Sequence, residues 1–192
     1  MTSPVEIYTD GSAIRNPGPA GTAYILRWYI PKENELPETK ELEFNKGFRL
    51  STNSRMEIMG ALEGLTQFNT MYRQGTFGES GQVNLFSDSE YLCNAVNKRW
   101  LDAWQSRNWM TSGYGGKPAK PVANRDLWER LLAIMSQIRS LGINITFTHV
   151  MGHNGDPMNE RADVLARSAA ENNSNQNIDT AYEQSKTQTQ WK

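Results

Sequence analysis

Thr52-Asn53-Ser54-Arg55-Met56-Glu57-Ile58-Met59-Gly60-Ala61-Leu62-Glu63-Gly64-Leu65-Thr66-Gln67-Phe68 is the stretch at which this chain changes period. Ile58, Ala61, Leu62, Leu65 and Phe68 recur at the spacing of one helix face, and Ser54-Arg55-Met56-Glu57 fits a capping box at the start. Upstream the pattern is strand-like. Val5-Glu6-Ile7-Tyr8-Thr9 reads as a strand ended by Asp10-Gly11, and Asn16-Pro17-Gly18-Pro19 reads as a rigid turn. Thr22 to Ile30 is a second β-rich run, and Glu43 to Arg49 starts or forms the return strand. Between them, residues 31–43 carry Glu33, Glu35, Glu38, Glu41 and Glu43 against Lys32 and Lys40, a net −3 that suits a solvated hairpin connection. Three sequential strands predict an antiparallel meander.

Downstream, strands and helices alternate. Val83-Asn84-Leu85-Phe86 is a short strand, and Ser87-Asp88-Ser89 opens a helix through Val96. A Trp-rich segment from Trp100 to Trp109 and a loop from Thr111 to Ala123 precede a helix with Leu127, Leu131, Ile134 and Ile138 on one face. Ile143 to Val150 alternates as a strand, and Asp156-Pro157 starts a last helix, with Asp as N-cap and Pro in the first turn. Strands first and βα units after them predict an α/β fold with a mixed sheet flanked by helices. From Glu171 to Lys192, 13 of 22 residues are Asn, Gln, Ser or Thr, which predicts a polar, disordered tail over 171–192 behind a domain spanning 1–170.

The chain has 192 residues, 38% hydrophobic and 21% charged, enough for one domain with a sizeable core. Its 20 Lys+Arg and 21 Asp+Glu leave a formal charge of −1, so it cannot hold a polyanion by bulk attraction, and any nucleic-acid grip must be local. The single Cys93 allows no internal disulfide, which points to a reducing compartment. No run approaches the ~18 apolar residues of a membrane span, and Met1-Thr2-Ser3-Pro4 lacks the features of a secretory signal. A cytoplasmic enzyme or binding domain, with no membrane partner, is the expectation.

Asp10 falls just past the first strand, Asp88 just past the strand at Val83–Phe86, Asp163 early in the last helix, and Glu57 in the first turn of the helix quoted above. If the two strands are adjacent and parallel, Asp10 and Asp88 project into one cleft at the carboxyl ends of the sheet, the usual ligand position. Each acid alone has a plainer reading: a turn at Asp10, an N-cap at Asp88, the reciprocal half of a capping box at Glu57, a solvated acid near a helix start at Asp163. Four carboxylates in one cleft would repel and take up protons unless cations compensate them. Hard oxygen ligands without Cys or a His pair suit Mg²⁺, with Mn²⁺ as substitute, rather than Zn²⁺. Two such ions activate water and stabilise the leaving oxygen of a phosphodiester.

Six motifs, in order, resemble the type 1 class of ribonuclease H. They are Thr9-Asp10-Gly11-Ser12 with Asn16-Pro17-Gly18-Pro19; Thr52 to Glu57; Ser87-Asp88-Ser89; Asp126-Leu127-Trp128; Val150-Met151-Gly152-His153; and Asn159-Glu160-Arg161-Ala162-Asp163. The resemblance runs from Val5 to about Ala170. It implies the ribonuclease H-like five-stranded mixed sheet, first three strands antiparallel, and cleavage of the RNA strand of an RNA–DNA hybrid. It makes Asp10, Glu57, Asp88 and Asp163 the metal-binding catalytic acids, and His153 a loop histidine for proton transfer or product release. It further implies that Gly11, Ser12, Asn16 and Asn53 lie along the hybrid's minor groove, where 2′-hydroxyls distinguish RNA from DNA, and that Thr52 belongs to a phosphate pocket for the DNA strand. His149, in the strand pattern, reads as structural.

The local basic concentration is present. Lys98, Arg99, Arg107, Lys117, Lys120 and Arg125 stand against Asp102, a net +5, with Trp100, Trp104 and Trp109 interleaved. This matches the family's basic handle for the DNA strand. Trp100 and Trp104 are expected to be partly core and Trp109 nearer the substrate. Gln105, Ser106, Met110 and Met151 stand where Lys is common in bacterial relatives, Ser54 where Asn or Gln is frequent, and Glu90 where some relatives carry Gln. Two other functions fit the same elements: a DNA-acting two-metal nuclease of the same fold, resolvase- or integrase-like, and an inactive hybrid-binding module. The intact acids and the Asn53-Ser54-Arg55-Met56-Glu57 helix start argue against both. Met1 lies four residues before the first strand, so a free-standing monomer is expected, rather than a domain cut from a reverse transcriptase or one behind an N-terminal hybrid-binding domain.

Overall fold

The structure, a computed structural model, describes residues 3–78, 80–113, 118–152, 155–172 and 176–189. The elements run β1 (Val5–Ala13), β2 (Gly18–Ile30), β3 (Glu38–Ser51), α1 (Asn53–Arg73), β4 (Gln82–Ser87), α2 (Glu90–Asn97), α3 (Trp100–Ser106), α4 (Arg125–Ser140), β5 (Asn144–His149), α5 (Pro157–Glu171), β6 (Gln176–Asn177) and α6 (Thr180–Thr189). They form one sheet in the order β5-β4-β1-β2-β3-β6. β1, β2 and β3 are the antiparallel meander, and β4 and β5 join parallel to β1 on its other side. The mixed α/β sheet matches the expectation, with one addition: a sixth strand of two residues, β6, pairs with β3 at Gly47 and Phe48.

Both faces of the sheet are covered, which is why β2 is buried from Ala20 to Leu26 on alternate faces. Ile7, Leu26, Val83 and Leu85 share the main core with Ile58, Leu62, Leu65 and Phe68 of α1 and Leu127, Trp128 and Leu131 of α4. Tyr8 and Ile25 point the other way and pack on Met158 and Ala162 of α5. Close approach of α5 to β2 requires Gly21, because a Cβ there would collide with the Ala166 carbonyl oxygen and lie 2.6 Å from the Ala170 nitrogen.

The strands outrun their apolar runs. β1 continues to Ala13, so Asp10 lies inside the strand, paired with Ala23, rather than past its end. Backbone pairing in the hairpin holds these polar residues in extended form. The acidic stretch is likewise less of a loop than its charge implied. β3 starts at Glu38, Glu41 pairs with Arg27 at 2.8 Å and with Arg161 of α5 at 2.6 Å, and Glu43 also pairs with Arg161.

Two caps differ from the pattern reading or refine it. The N-cap of α1 is Thr52, not Ser54: its hydroxyl accepts from the Arg55 N–H at 3.4 Å. The N-cap of α2 is Ser89, which accepts from the Leu92 N–H at 3.3 Å. Asp156 caps α5 as expected, accepting from the N–H groups of Met158 at 3.0 Å and Asn159 at 3.1 Å. The expected disordered tail does not describe 176–189. Polar composition misled because the segment is fastened mostly by hydrogen bonds and ion pairs, with Tyr182 buried beside them: Asn177 Nδ2 donates to the Gly47 carbonyl at 2.9 Å, and Arg49 Nε donates to Glu183 Oε1 at 2.8 Å.

Candidate nuclease site

The parallel register of β1 and β4 runs from Val5–Val83 to Thr9–Ser87. Asp10 and Asp88 are the next residues on each strand, so adjacency, assumed from sequence, is built into the sheet. β5 extends the same edge. His149 pairs with Ser87, the Val150 N–H donates to the Ser87 carbonyl at 3.0 Å, and His149 Nε2 lies 3.2 Å from the Asp88 carbonyl oxygen. The chain then turns so that Gly152 lies over the Asp88 carboxylate, its Cβ position 2.9 Å from Oδ2.

α1 brings Glu57 to this edge. Gly11 makes the approach feasible, because a Cβ there would clash with the Glu57 nitrogen and fall within 2.5 Å of the Met56 carbonyl carbon. Thr22 Oγ1 donates to the Met56 carbonyl at 2.8 Å and ties the same turn to β2. The Glu57 carboxylate is then held from both sides: Asn53 Nδ2 donates to Oε1 at 2.6 Å and Ser89 Oγ to Oε2 at 2.6 Å. With Thr52 as the cap, Glu57 has no capping duty, and with Ser89 capping α2, neither has Asp88. The plainer readings of both acids fall away.

Asp10 is only 5% exposed and accepts the Gly11 N–H at 2.7 Å. Burial raises its carboxyl to about 8; the charges of Asp88, Asp163 and Glu57 add to the rise and the Gly11 N–H opposes it. Glu57 is raised chiefly by burial and also by Asp88, against the hydrogen bonds from Ser89 and Asn53. All four acids therefore share one field. Burial, with Asp88 and Glu57 nearby, also lifts the Cys93 thiol to about 11.

The carboxylates do not form a ready ligand cluster: among the described residues no three Asp, Glu, His or Cys side chains are gathered tightly enough to hold an ion. Glu57 is held by Ser89 and Asn53, and Asp163 accepts from Arg167 Nη2 at 3.0 and 2.7 Å. The donor set nevertheless fits a divalent metal. It is all carboxylate, which favours hard cations, and it contains a buried acid whose carboxyl is raised to about 8 by burial and by its acidic neighbours, a cost that a cation would offset.

Two expected substrate residues join this centre. Asn16 Oδ1 accepts the Asn53 N–H at 3.1 Å, so the hairpin tip, the start of α1 and Glu57 are one hydrogen-bonded chain ending at Ser89. Ser89 was not anticipated as a site residue, though the Ser87-Asp88-Ser89 motif marked its place. Gly11 is buried against α1 and Ser12 follows it in β1. In the handle, Arg107 and Lys120 are exposed and make no ion pair among the described residues, whereas Arg99 pairs with Asp102 and Arg125 with Glu129. Trp104 is half-buried among Tyr91, Trp100 and Trp128. Trp109 corrects the expectation. It is 6% exposed, in the core beneath Arg125, whose guanidinium lies 5.6 Å from the ring centroid, so it offers no face to a substrate. His153 and Lys117 lie outside the described residues.

A family model described as RNase H matches residues 2–171. Ribonuclease H of Nitratidesulfovibrio vulgaris (strain DP4) is 42% identical over 166 residues, covering 86% of this chain and 88% of the relative. Ribonuclease H of Xanthomonas euvesicatoria pv. vesicatoria (strain 85-10) is 40% identical over 166 residues, covering 86% and 91%. Among solved structures, LC9-RNase H1, described as a type 1 RNase H with the type 2 active-site motif, is 23% identical with a TM-score of 0.68, covering 96% of this chain and 81% of that one. LC11-RNase H1 in complex with RNA/DNA hybrid is 23% identical with a TM-score of 0.53, covering 86% and 96%.

Proposed function

This chain belongs to the ribonuclease H family, hydrolases that cleave the RNA strand of RNA–DNA hybrids, and we propose that Asp10, Glu57, Asp88 and Asp163 carry that reaction here. The observation behind this reading is the shared field at the carboxyl ends of β1 and β4, where burial and three neighbouring acids raise Asp10 to about 8. These four acids would hold two Mg²⁺, or Mn²⁺ in their place. When bound, the ions supply an activated water and neutralise the leaving oxygen.

The chain's own residues orient the hybrid. The Asn16–Asn53–Glu57 chain offers amide and carboxylate groups in a row, the chemistry that reads 2′-hydroxyls in a minor groove. Gly11 and Ser12 continue that row along β1, and Thr52 supplies a hydroxyl beside the N-terminus of α1, a favourable place for a DNA phosphate. Arg107, Lys117 and Lys120 provide charge from the handle, with Trp104 as its half-buried footing. His153 follows Gly152, which faces Asp88, and is assigned proton movement at the attacking water or the leaving oxygen. The overall reaction adds water across one P–O ester bond of the RNA strand. We read the protein as a cytoplasmic monomer. No helix among the described residues is long and apolar enough to cross a membrane.

Labelled RNA–DNA hybrid, RNA duplex and DNA duplex, each with and without Mg²⁺, test the proposal. Cutting confined to the RNA of the hybrid and dependent on metal is expected. Metal-independent cutting, or equal cutting of DNA duplex, would overturn it.

A further inference from the structure

Arg55 is 3% exposed and sits in the first turn of α1. A buried guanidinium requires paired carboxylates, and two elements supply them. Asp126, at the start of α4, accepts from Nη1 and Nη2 at 2.8 Å each. Asp179 accepts from Nε at 2.8 Å and Nη2 at 2.9 Å, and is itself 5% exposed. Asp126 belongs to a motif of the matched family region, whereas Asp179 lies beyond Glu171, where that match ends.

Asp179 does more than neutralise Arg55. It accepts from Ser51 Oγ, the last residue of β3, at 2.7 Å, and from the Tyr182 N–H at 3.3 Å, so it also caps α6. The Tyr182 ring lies 5.8 Å from the Arg55 guanidinium. One carboxylate thus bonds to residues on both sides of Thr52: Ser51 before it and Arg55 after it. Thr52, Asn53 and Glu57, the residues assigned to substrate and metal, stand on the backbone between and just past those two anchors.

We propose that Asp179 braces the junction of β3 and α1, and that it is a positioning residue for Thr52 and Asn53 in hybrid binding. The proposal rests on the site reading given above. A looser junction would spread Thr52 and the Asn16–Asn53 pair over several arrangements, while Ser89 still holds Glu57, which weakens hybrid capture before it affects chemistry at saturation.

The test uses the full chain and three variants. Asp179→Asn keeps volume and one acceptor but removes the charge, Ser51→Ala removes the second anchor without touching charge, and Glu183→Gln loosens α6 at Arg49 while leaving Asp179 in place. KM and kcat for a labelled hybrid are measured with saturating Mg²⁺, alongside hybrid affinity by fluorescence anisotropy in EDTA and thermal melting. Asp179→Asn is expected to raise KM and weaken metal-free affinity by about fivefold, with kcat within about twofold of the parent. Ser51→Ala should move both in the same direction by less, and carries the test alone if Asp179→Asn does not fold. Glu183→Gln should change neither. Unaltered KM and affinity in Asp179→Asn, even with a lowered melting temperature, would reduce Asp179 to a purely structural contact. An equal KM rise in Glu183→Gln would likewise overturn a specific brace. If the parent chain does not cleave hybrid, the site reading fails; parent cleavage with an unchanged Asp179→Asn sinks the brace alone.

Discussion

Ser89 Oγ donates to Glu57 Oε2 at 2.6 Å while accepting the Leu92 N–H at 3.3 Å, so one hydroxyl both caps α2 and fixes an acid of α1. Ser89→Ala removes both. The lost cap should lower stability by about 1 kcal/mol, and a freed Glu57 should reduce cleavage by roughly tenfold, in line with removal of a residue that orients a metal ligand. Ser89→Thr, which keeps the hydroxyl, should retain most activity. Melting curves and hybrid cleavage rates for the two variants check this.

Asp10→Asn should reduce hybrid cleavage by roughly three orders of magnitude, about 4 kcal/mol of barrier. In EDTA the same variant should be more stable than the parent. The folded-state carboxyl is raised to about 8 from an ordinary 3.8, so between those values the folded chain holds a proton that the unfolded chain has released. Stability from this group is therefore lost as pH rises through that window. Melting in EDTA at pH 5 and pH 8.5 should show a steeper decline for the parent than for Asp10→Asn, and a lead for the variant of roughly 5 °C at the higher pH. Parallel curves would remove Asp10 as the source.

Gly11→Ala should destabilise the fold by roughly 3 kcal/mol, because the added methyl meets the backbone of Met56 and Glu57 rather than the end of a flexible side chain. Urea denaturation measures it, and a loss under about 0.5 kcal/mol would mean that β1 and α1 separate easily.

In the handle, Lys98, Arg107 and Lys120 make no ion pair among the described residues, while Arg99 and Arg125 have acidic neighbours. Hybrid binding should accordingly be weaker and less salt-steep than in a Lys-rich relative. Gln105 and Ser106 are exposed, and replacing both with Lys should steepen the slope of log K against log salt by about two. An unchanged slope would place the handle away from the phosphates.

The acids were legible because each lies near a break of period in the sequence. Asp88 follows an apolar strand, Asp10 follows the apolar run of β1, and Glu57 and Asp163 lie in the first two turns of α1 and of the Pro-started α5. Convergence was not legible from spacing; it depends on the β1–β4 register and on Gly11, both long-range facts. Trp109 was misjudged because its basic neighbours suggested a surface, while the hairpin-like bridge between Met110 and Pro121 turns the ring inward. The last 14 described residues escaped notice for a different reason. Their attachment runs through Asp179 and Arg55, 124 positions apart, and polar composition carries no sign of such a pair.

Cys93 is the sole cysteine, buried behind the acids with its thiol raised to about 11. Burial and a raised pKa both slow the reaction of a thiol with maleimides and spin labels at neutral pH. One new cysteine at exposed Gln105 should therefore label well ahead of Cys93 and carry the probe. The distance from that probe to a hybrid could then be followed without first deleting any native residue.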